Sequence, residues 1–290
     1  MAVQCTKNGK DIRYISDLKM RDNFKGNLFS PIGENMFLAL YKDKEKKYKF
    51  EGRFNQGIVS INLPQIAILA DGNEATFWEL LDERLDLCFE ALMCRHYSLV
   101  GVQAKVSPLH WIYGSISRIG EEETINNLLY NGYSTISLGY VGIYEMAKLI
   151  RGTSHFKVEG HKFAIKVMKY INEVLNDWKE KTNITFVLCG VNSEKVLEKF
   201  VKIDKEKYGT IKGITDKKAY TGSYIVPENE KIDIYEKLFL ESEFEKLSSG
   251  GAISCVRLES VDDVTEIDDV IKFIYSNNQY VKIIVNKQIT

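Results

Sequence analysis

Apolar positions along the chain recur with two periods, and each period marks out a set of elements. Residues 57–63 (GIVSINL) alternate and carry β-branched side chains, predicting a strand that stops at Pro64. Between Ala75 and His96, the residues Trp78, Leu81, Leu85, Cys88 or Phe89, and Leu92 recur at three-to-four spacing, predicting a long helix. Asp71, Asn73 and Glu74 stand at its start, where a positive helix terminus favours acids and caps. Residues 134–141 (STISLGYV) predict a second strand, followed by a short helix through Ile143–Leu149. The clearest helical stripe is Phe163 or Ala164, Val167, Ile171, Val174 or Leu175, and Trp178. The Trp78 and Trp178 stripes are assigned to the core.

Shorter signals complete the pattern. They predict a strand at Ile184–Leu188, a helix at Ser193–Ile203 capped by Ser193, and a strand near Tyr220–Val226. A helix near Ile232–Leu240, a strand at Ala252–Leu258, a helix near Thr265–Tyr275 and a strand at Val281–Val285 follow. Strands separated by long helices indicate an α/β fold. No repeat of solenoid period and no linker interrupts it, so residues 1–290 read as a single domain. Strand signals lie close to both ends, as expected of a piece cut from something larger.

Composition narrows the function classes. Hydrophobic residues are 44% and charged residues 27%, ordinary for a soluble globular protein. The 39 basic and 40 acidic side chains nearly balance, which argues against a protein built to hold a nucleic-acid backbone. The N-terminal stretch has no apolar core of a secretory signal, and no run is long enough for a membrane helix. A cytoplasmic protein without direct membrane or nucleic-acid contact is expected. Cys5, Cys88, Cys94, Cys189 and Cys255 form no C-x-x-C pair, so neither a disulfide framework nor a compact zinc site is expected. His96, His110, His155 and His161 lack the helical spacing of paired metal ligands.

Five stretches, taken together, resemble the anaerobic (class III) ribonucleoside-triphosphate reductases, which are glycyl-radical enzymes. They are GRFNQGIVSINLPQIAI (52–68), ATFWELLDERLDL (75–87), STISLGYVGIYE (134–145), KYGTIKGITDKKAYTGSY (207–224) and SSGGAISCV (248–256). Their order and spacing are family-like, and the similarity runs over nearly all of the chain from about Ile15.

The resemblance implies a partial glycyl-radical-enzyme barrel, roughly its second five-stranded half with surrounding helices and a finger-loop remnant at about 28–56. In the family, a cysteine on that loop becomes a thiyl radical and abstracts the ribose 3′ hydrogen. The family loop reads roughly G-C-R-x-F-L, whereas this chain has Gly33-Glu34-Asn35-Met36-Phe37-Leu38, with Glu34 at the cysteine position. A carboxylate can do acid–base work but cannot store that radical. The family also uses a four-cysteine zinc site, a radical glycine and an S-adenosylmethionine-dependent activase. Residues 285–290 read as the approach to the zinc segment, and no glycine follows Gly251, so none of these cofactors is expected within this chain.

Substrate-side words are partly kept. Asn55 matches the family asparagine near the ribose hydroxyls. The family's Y-x-T-P-x-E becomes Cys189-Gly190-Val191-Asn192-Ser193-Glu194, and its Y-T-N-S-F-H becomes Tyr220-Thr221-Gly222-Ser223-Tyr224-Ile225. Asn55, Ser193, Glu194 and Ser223 are therefore the candidate substrate contacts, and no catalytic or metal residue is assigned. Each has a plainer reading beside the functional one: Asn55 as a turn cap, and Ser193 with Glu194 as an ordinary helix start. Gly250-Gly251 reads either as a ligand approach or as a tight turn. Cys189 and Cys255 read as packing residues, and the lysines of 204–218 as a solvated face.

The expected function is that of a catalytically inactive paralogue with a binding or interaction role, its ligand a ribonucleoside triphosphate. The alternative is one piece of a split reductase completed by a reductase-like partner chain. Because an incomplete barrel exposes sheet edges, self-association is a third expectation.

Overall fold

The computed structural model describes residues 1–33, 36–258 and 264–285. The elements in chain order begin with α1 (Ala2–Lys7), β1 (Ile12–Ile15), α2 (Asp17–Asn23), β2 (Asn55–Asn62), α3 (Leu63–Ala70) and α4 (Glu74–Tyr97). There follow α5 (Pro108–Trp111), β3 (Thr135–Val141), α6 (Ile143–Arg151), α7 (Val158–Thr182), β4 (Phe186–Gly190) and α8 (Glu194–Tyr208). Last come α9 (Ile234–Leu247), β5 (Ser254–Leu258), α10 (Val264–Asn277) and β6 (Tyr280–Val285).

Strands β2, β3 and β4 lie side by side in that order, all parallel. Parallel neighbours need crossover connections, and α3–α4 and α6–α7 supply them. Every residue of β3 is buried, as a central strand covered on both faces must be. One face presents Ile136, Leu138, Tyr140, Phe186 and Leu188 to the apolar stripes of α4 and α7. In α4 that stripe is Phe77, Leu81, Leu85, Cys88 and Leu92, with Asn73 capping the helix by accepting from the Ala75 and Thr76 amides at 2.9 and 3.2 Å. Phe77, not Trp78, heads the stripe; Trp78 is half-buried at its edge, its ring against Phe163 and Tyr170. Trp178 is buried as expected.

The second sheet has the order β1–β6–β5, with β6 antiparallel to β1 and parallel to β5. Leu238 of α9 and Ile267, Val270 and Ile274 of α10 pack on Val256, Leu258, Val281 and Ile283 of this sheet. Gly250-Gly251 joins the two sheets. The Gly250 amide donates to the Leu188 carbonyl at 2.8 Å, and the Gly190 amide donates to the Gly251 carbonyl at 2.9 Å. A side chain at Gly250 would come within 2.6 Å of Val187, so the close approach that glycine permits here is to β4.

The strand expected near Tyr220–Val226 is not formed. That segment crosses the carboxyl ends of β3 and β4: the Gly142 and Ile143 amides donate to the Thr221 and Ser223 carbonyls, and the Ser223 amide to Val191. Ser223 sits at φ 39°, a turn conformation. The alternation of Tyr224 and Val226 reflects burial against different neighbours, not membership of a ladder. Among the described residues, no helix is long and apolar enough to cross a membrane.

Candidate functional site

The face of the parallel sheet opposite α4 and α7 mixes small polar residues with apolar ones. It carries Asn55, Ile58 and Ser60 from β2, Thr135, Ser137, Gly139 and Val141 from β3, and Val187 and Cys189 from β4, since successive strand residues alternate between faces; Ile58 and Val141 join Val191 and Leu197 in an apolar cluster. Asn55 Nδ2 donates to Ser137 Oγ at 2.6 Å, while Asn55 Oδ1 accepts from the Gly57 amide at 2.8 Å. These two bonds fix the side chain at the β2 bulge and leave it one further amide hydrogen to donate. Ser137 also lies within hydrogen-bond reach of the Cys189 thiol, whose pKa burial pushes up to about 12. Cys189 is therefore a neutral packing thiol, as expected from its place on a strand.

The finger segment runs over the amino end of this face. Its Phe37 and Leu38 are buried, the Ala39 amide donates to Thr135 Oγ1 at 3.2 Å, and the Phe37 amide donates to the Gly250 carbonyl at 2.9 Å. Ile32 and Met36 bond to one another across the loop, at 2.7 and 3.3 Å. Glu34 itself lies outside the described residues. Arg53 anchors the segment: Nε donates to Tyr133 O at 2.8 Å, Nη1 to Lys49 O at 3.3 Å, and Nη2 to Ala39 O and Gly132 O at 2.7 Å each. Burial lowers its pKa to about 10, so the guanidinium stays charged and is satisfied by carbonyl dipoles.

At the carboxyl end of the sheet stand the other candidates. Ser193 is the N-cap residue of α8, but its side chain makes no cap hydrogen bond, and the expected capping role falls to main-chain geometry alone. Glu194 is exposed and paired with Lys218 at 3.1 Å. Ser223 is fully buried, its hydroxyl donating to Asn192 Oδ1 at 3.0 Å. Asn192 and Ser223 are thus brought together beside Ser193. Asn55 is not: Ser137, its partner, precedes Tyr140 at the Gly190 level by a few residues, or ~10 Å along the strand.

Two buried carboxylates organise this end, and sequence reasoning missed both. Asp204 of α8 accepts from Asn62 Nδ2 at 2.7 Å, Gln65 Nε2 at 2.5 Å and Tyr220 Oη at 2.9 Å. Glu145, in the first turn of α6, accepts through Oε1 from Lys217 Nζ at 3.1 Å, the Thr221 amide at 3.1 Å and Thr221 Oγ1 at 2.8 Å. Glu145 thereby ties the 217–221 segment over the strand ends. Its replacement by alanine should cost ~3 kcal/mol and speed proteolysis within that segment, because Lys217 and Thr221 lose a desolvated partner. A change in denaturant midpoint worth under 1 kcal/mol would show that the tie is dispensable.

Among the described residues, no three histidine, cysteine or carboxylate side chains converge as a metal donor set.

Three parallel strands joined by crossover helices packed on one face make an α/β unit. Comparison with known proteins agrees. The family description "Anaerobic ribonucleoside-triphosphate reductase" matches residues 5–290, and the chain belongs to that family. It is 32% identical over 273 residues to the anaerobic ribonucleoside-triphosphate reductase of Escherichia coli K12, covering 93% of this chain and 38% of that protein. The corresponding enzyme of Enterobacteria phage T4 is 39% identical over 234 residues, covering 79% of this chain and 37% of that one. The solved anaerobic ribonucleotide reductase of Thermotoga maritima in complex with dATP and CTP shares the fold, at TM-score 0.61 and 20% identity, with 81% of this chain and 39% of that one covered. The chain thus spans rather less than half the length of the relatives it matches.

Proposed function

We propose that this chain is a single-domain, nucleotide-binding barrel segment of the reductase family that does not itself abstract hydrogen from the ribose. The observation that carries this reading is Glu34, the residue that the resemblance sets at the position of the family's radical cysteine. Hydrogen abstraction from a sugar carbon needs a sulfur radical held beside it, and a carboxylate provides none.

Binding is supported by the polar residues of that face. The remaining amide hydrogen of Asn55 would meet a ribose hydroxyl, and the α8 N-terminus at Ser193 would take phosphate oxygens. The ~10 Å between the Asn55–Ser137 pair and the strand ends suits one ribonucleoside triphosphate lying along the sheet. Ser223 acts through Asn192, which it orients, and Glu194 through Lys218.

Isothermal titration with the four ribonucleoside triphosphates tests the proposal. Micromolar binding is expected, weakened about tenfold (~1.4 kcal/mol) by Asn55→Ala. No heat at millimolar nucleotide would remove the binding role.

A second reading, a piece of a split reductase completed by a partner chain, is favoured by one observation. No strand pairs with the outer edge of β2 among the described residues. Under that reading, coexpression with such a partner and the activase yields a glycyl-radical signal and deoxynucleotide; an intact partner without product rejects it.

A further inference from the structure

Helices α4 and α7 meet along a seam, where Tyr170 Oη donates to Asp82 and Phe89 packs on Trp178 with ring centroids 5.1 Å apart. These contacts follow one another in the same order on both helices, so the helices run parallel and in step. The seam opens outward into a groove of about 590 Å³. Trp78, Ile165 and Tyr170, each half-buried, give it an apolar floor, with the Trp78 and Tyr170 rings 5.3 Å apart. Its charged lining comes from α7, as Lys162, Lys166 and Lys169 with Glu173 beyond them. Lys162 is paired with Glu159 at 3.0 Å and Lys166 with Glu74 at 3.3 Å, while Lys169 has no ion-pair partner among the described residues.

The adjoining surface of α4 is acidic. Glu79, Asp82 and Asp86 are exposed there. The hydrogen bond to Asp82, together with burial and the charges of Asp82 and Asp86, pushes the Tyr170 pKa up to about 12, which sets both acids beside the groove. The two sets of charges match when one is reversed. The lysines follow at intervals of four and three along α7, and the acids follow at four and three when α4 is read backward from Asp86. Such intervals are single helical turns, so each set lies in a straight stripe. A two-fold axis normal to the helices, passing between Trp78 and Tyr170, lays α4 of a second copy antiparallel to α7. Lys162, Lys166 and Lys169 then stand opposite Asp86, Asp82 and Glu79 of the second copy. Glu173 falls opposite its Ala75, so no like charges meet.

We propose that this groove is the contact face of a symmetric dimer, its occupant a second copy of this chain. Trp78, Ile165 and Tyr170 are buried around the axis, and three ion pairs on each side of it fix the register. No separate acidic partner is required, because the chain itself carries the matching stripe. The contact uses helix faces and not sheet edges. It is independent of the nucleotide reading, since α4 and α7 cover the face of the sheet opposite Asn55.

Sedimentation and light scattering of the full chain at low ionic strength are expected to show a dimer that dissociates as salt screens the pairs. Lys169→Glu and Glu79→Lys should each weaken it by about tenfold or more, because like charges then face each other on both sides of the axis. Mixed in equal amounts, the two variants should form a heterodimer, since every pair across that interface is again opposite in charge. Should either variant fold poorly, Lys162→Glu and Asp86→Lys make the same test at the next pair. A chain that stays monomeric overturns the proposal, and so does a dimer that neither substitution weakens, whose contact lies elsewhere. Folded variants that fail to associate when mixed overturn the register. A monomer that binds labelled polyglutamate overturns the occupant, which is then a separate acidic partner. Nucleotide titration of Lys169→Glu, expected to match the unaltered chain, separates failure of this face from failure of the nucleotide site.

Discussion

Replacing Arg53 with methionine is expected to destabilise the fold by ~3–5 kcal/mol, the range for breaking a buried polar network. Methionine fills much of the arginine stem but donates nothing, so the carbonyls of Ala39, Lys49, Gly132 and Tyr133 each lose a charged donor. Arg53 is 6% exposed, and water reaches that position poorly. Lysine keeps the charge but offers a point donor instead of a planar fork, so Arg53→Lys should cost roughly half as much. The loss should be local first. Hydrogen exchange is expected to rise over 36–50 and 130–134 before the rest of the sheet, because Arg53 is what holds the finger segment to the entry of β3. Denaturant unfolding measures the total, and a loss below ~1 kcal/mol would show that the segment is held by its aromatic packing instead.

Raising the pH from about 5 to 8 is the second large expected effect. Glu245 of α9 is buried against Ser254 Oγ, at 3.3 Å, and the Gln279 amide, at 2.9 Å. Burial, reinforced by the neighbouring Glu241, raises its pKa to about 8. The other groups packed around the pair are Lys237, 3.4 Å from Glu241, the Tyr224 hydroxyl on Ser254, and His155, whose Nε2 donates to the Tyr224 carbonyl at 2.6 Å. A carboxyl whose folded pKa exceeds its unfolded value contributes stability that is complete below about 4.5 and is lost as pH rises through about 8. The loss should be of order 3 kcal/mol. His155 acts in the opposite direction: burial lowers its pKa to about 4, so its contribution is present above about 6.5 and falls as pH drops toward 4. Stability should therefore peak in mildly acidic solution. Glu245→Gln, isosteric with the protonated acid, should flatten the alkaline limb and melt above the wild type at pH 8. An unchanged alkaline limb in that variant would assign the slope to other groups.

Much of the scaffold was legible because its elements are amphipathic with a clean period. The stripes of α4 and α7 and the apolar run of β3 follow directly from burial on one or both faces. The segment 220–226 misled because aromatic and β-branched residues alternate there, yet its main chain bonds to the ends of strands rather than along one. Trp78 keeps the three-to-four spacing and packs against the core cluster from its edge, while Phe77, one residue earlier, is fully buried within it. The site was less readable. Ser137 and Glu145 lie inside a family-like word, but their partners, Asn55 and Thr221, are 82 and 76 residues away in sequence. The four carbonyls around Arg53 leave no side-chain signature at all. Ser223 was read as a substrate contact, and only the folded chain reveals that its hydroxyl donates to Asn192.

Whether Glu34 has displaced the chemistry of the family is open to one direct assay. The purified chain is incubated anaerobically with ribonucleoside triphosphates, a reductant and the radical-generating activase, and the nucleotides are separated and quantified. We predict that ribonucleotides are recovered unreduced, with no glycyl-radical signal in the electron paramagnetic resonance spectrum. Deoxynucleotide formed in proportion to this chain, free of any contaminating reductase, would contradict the account.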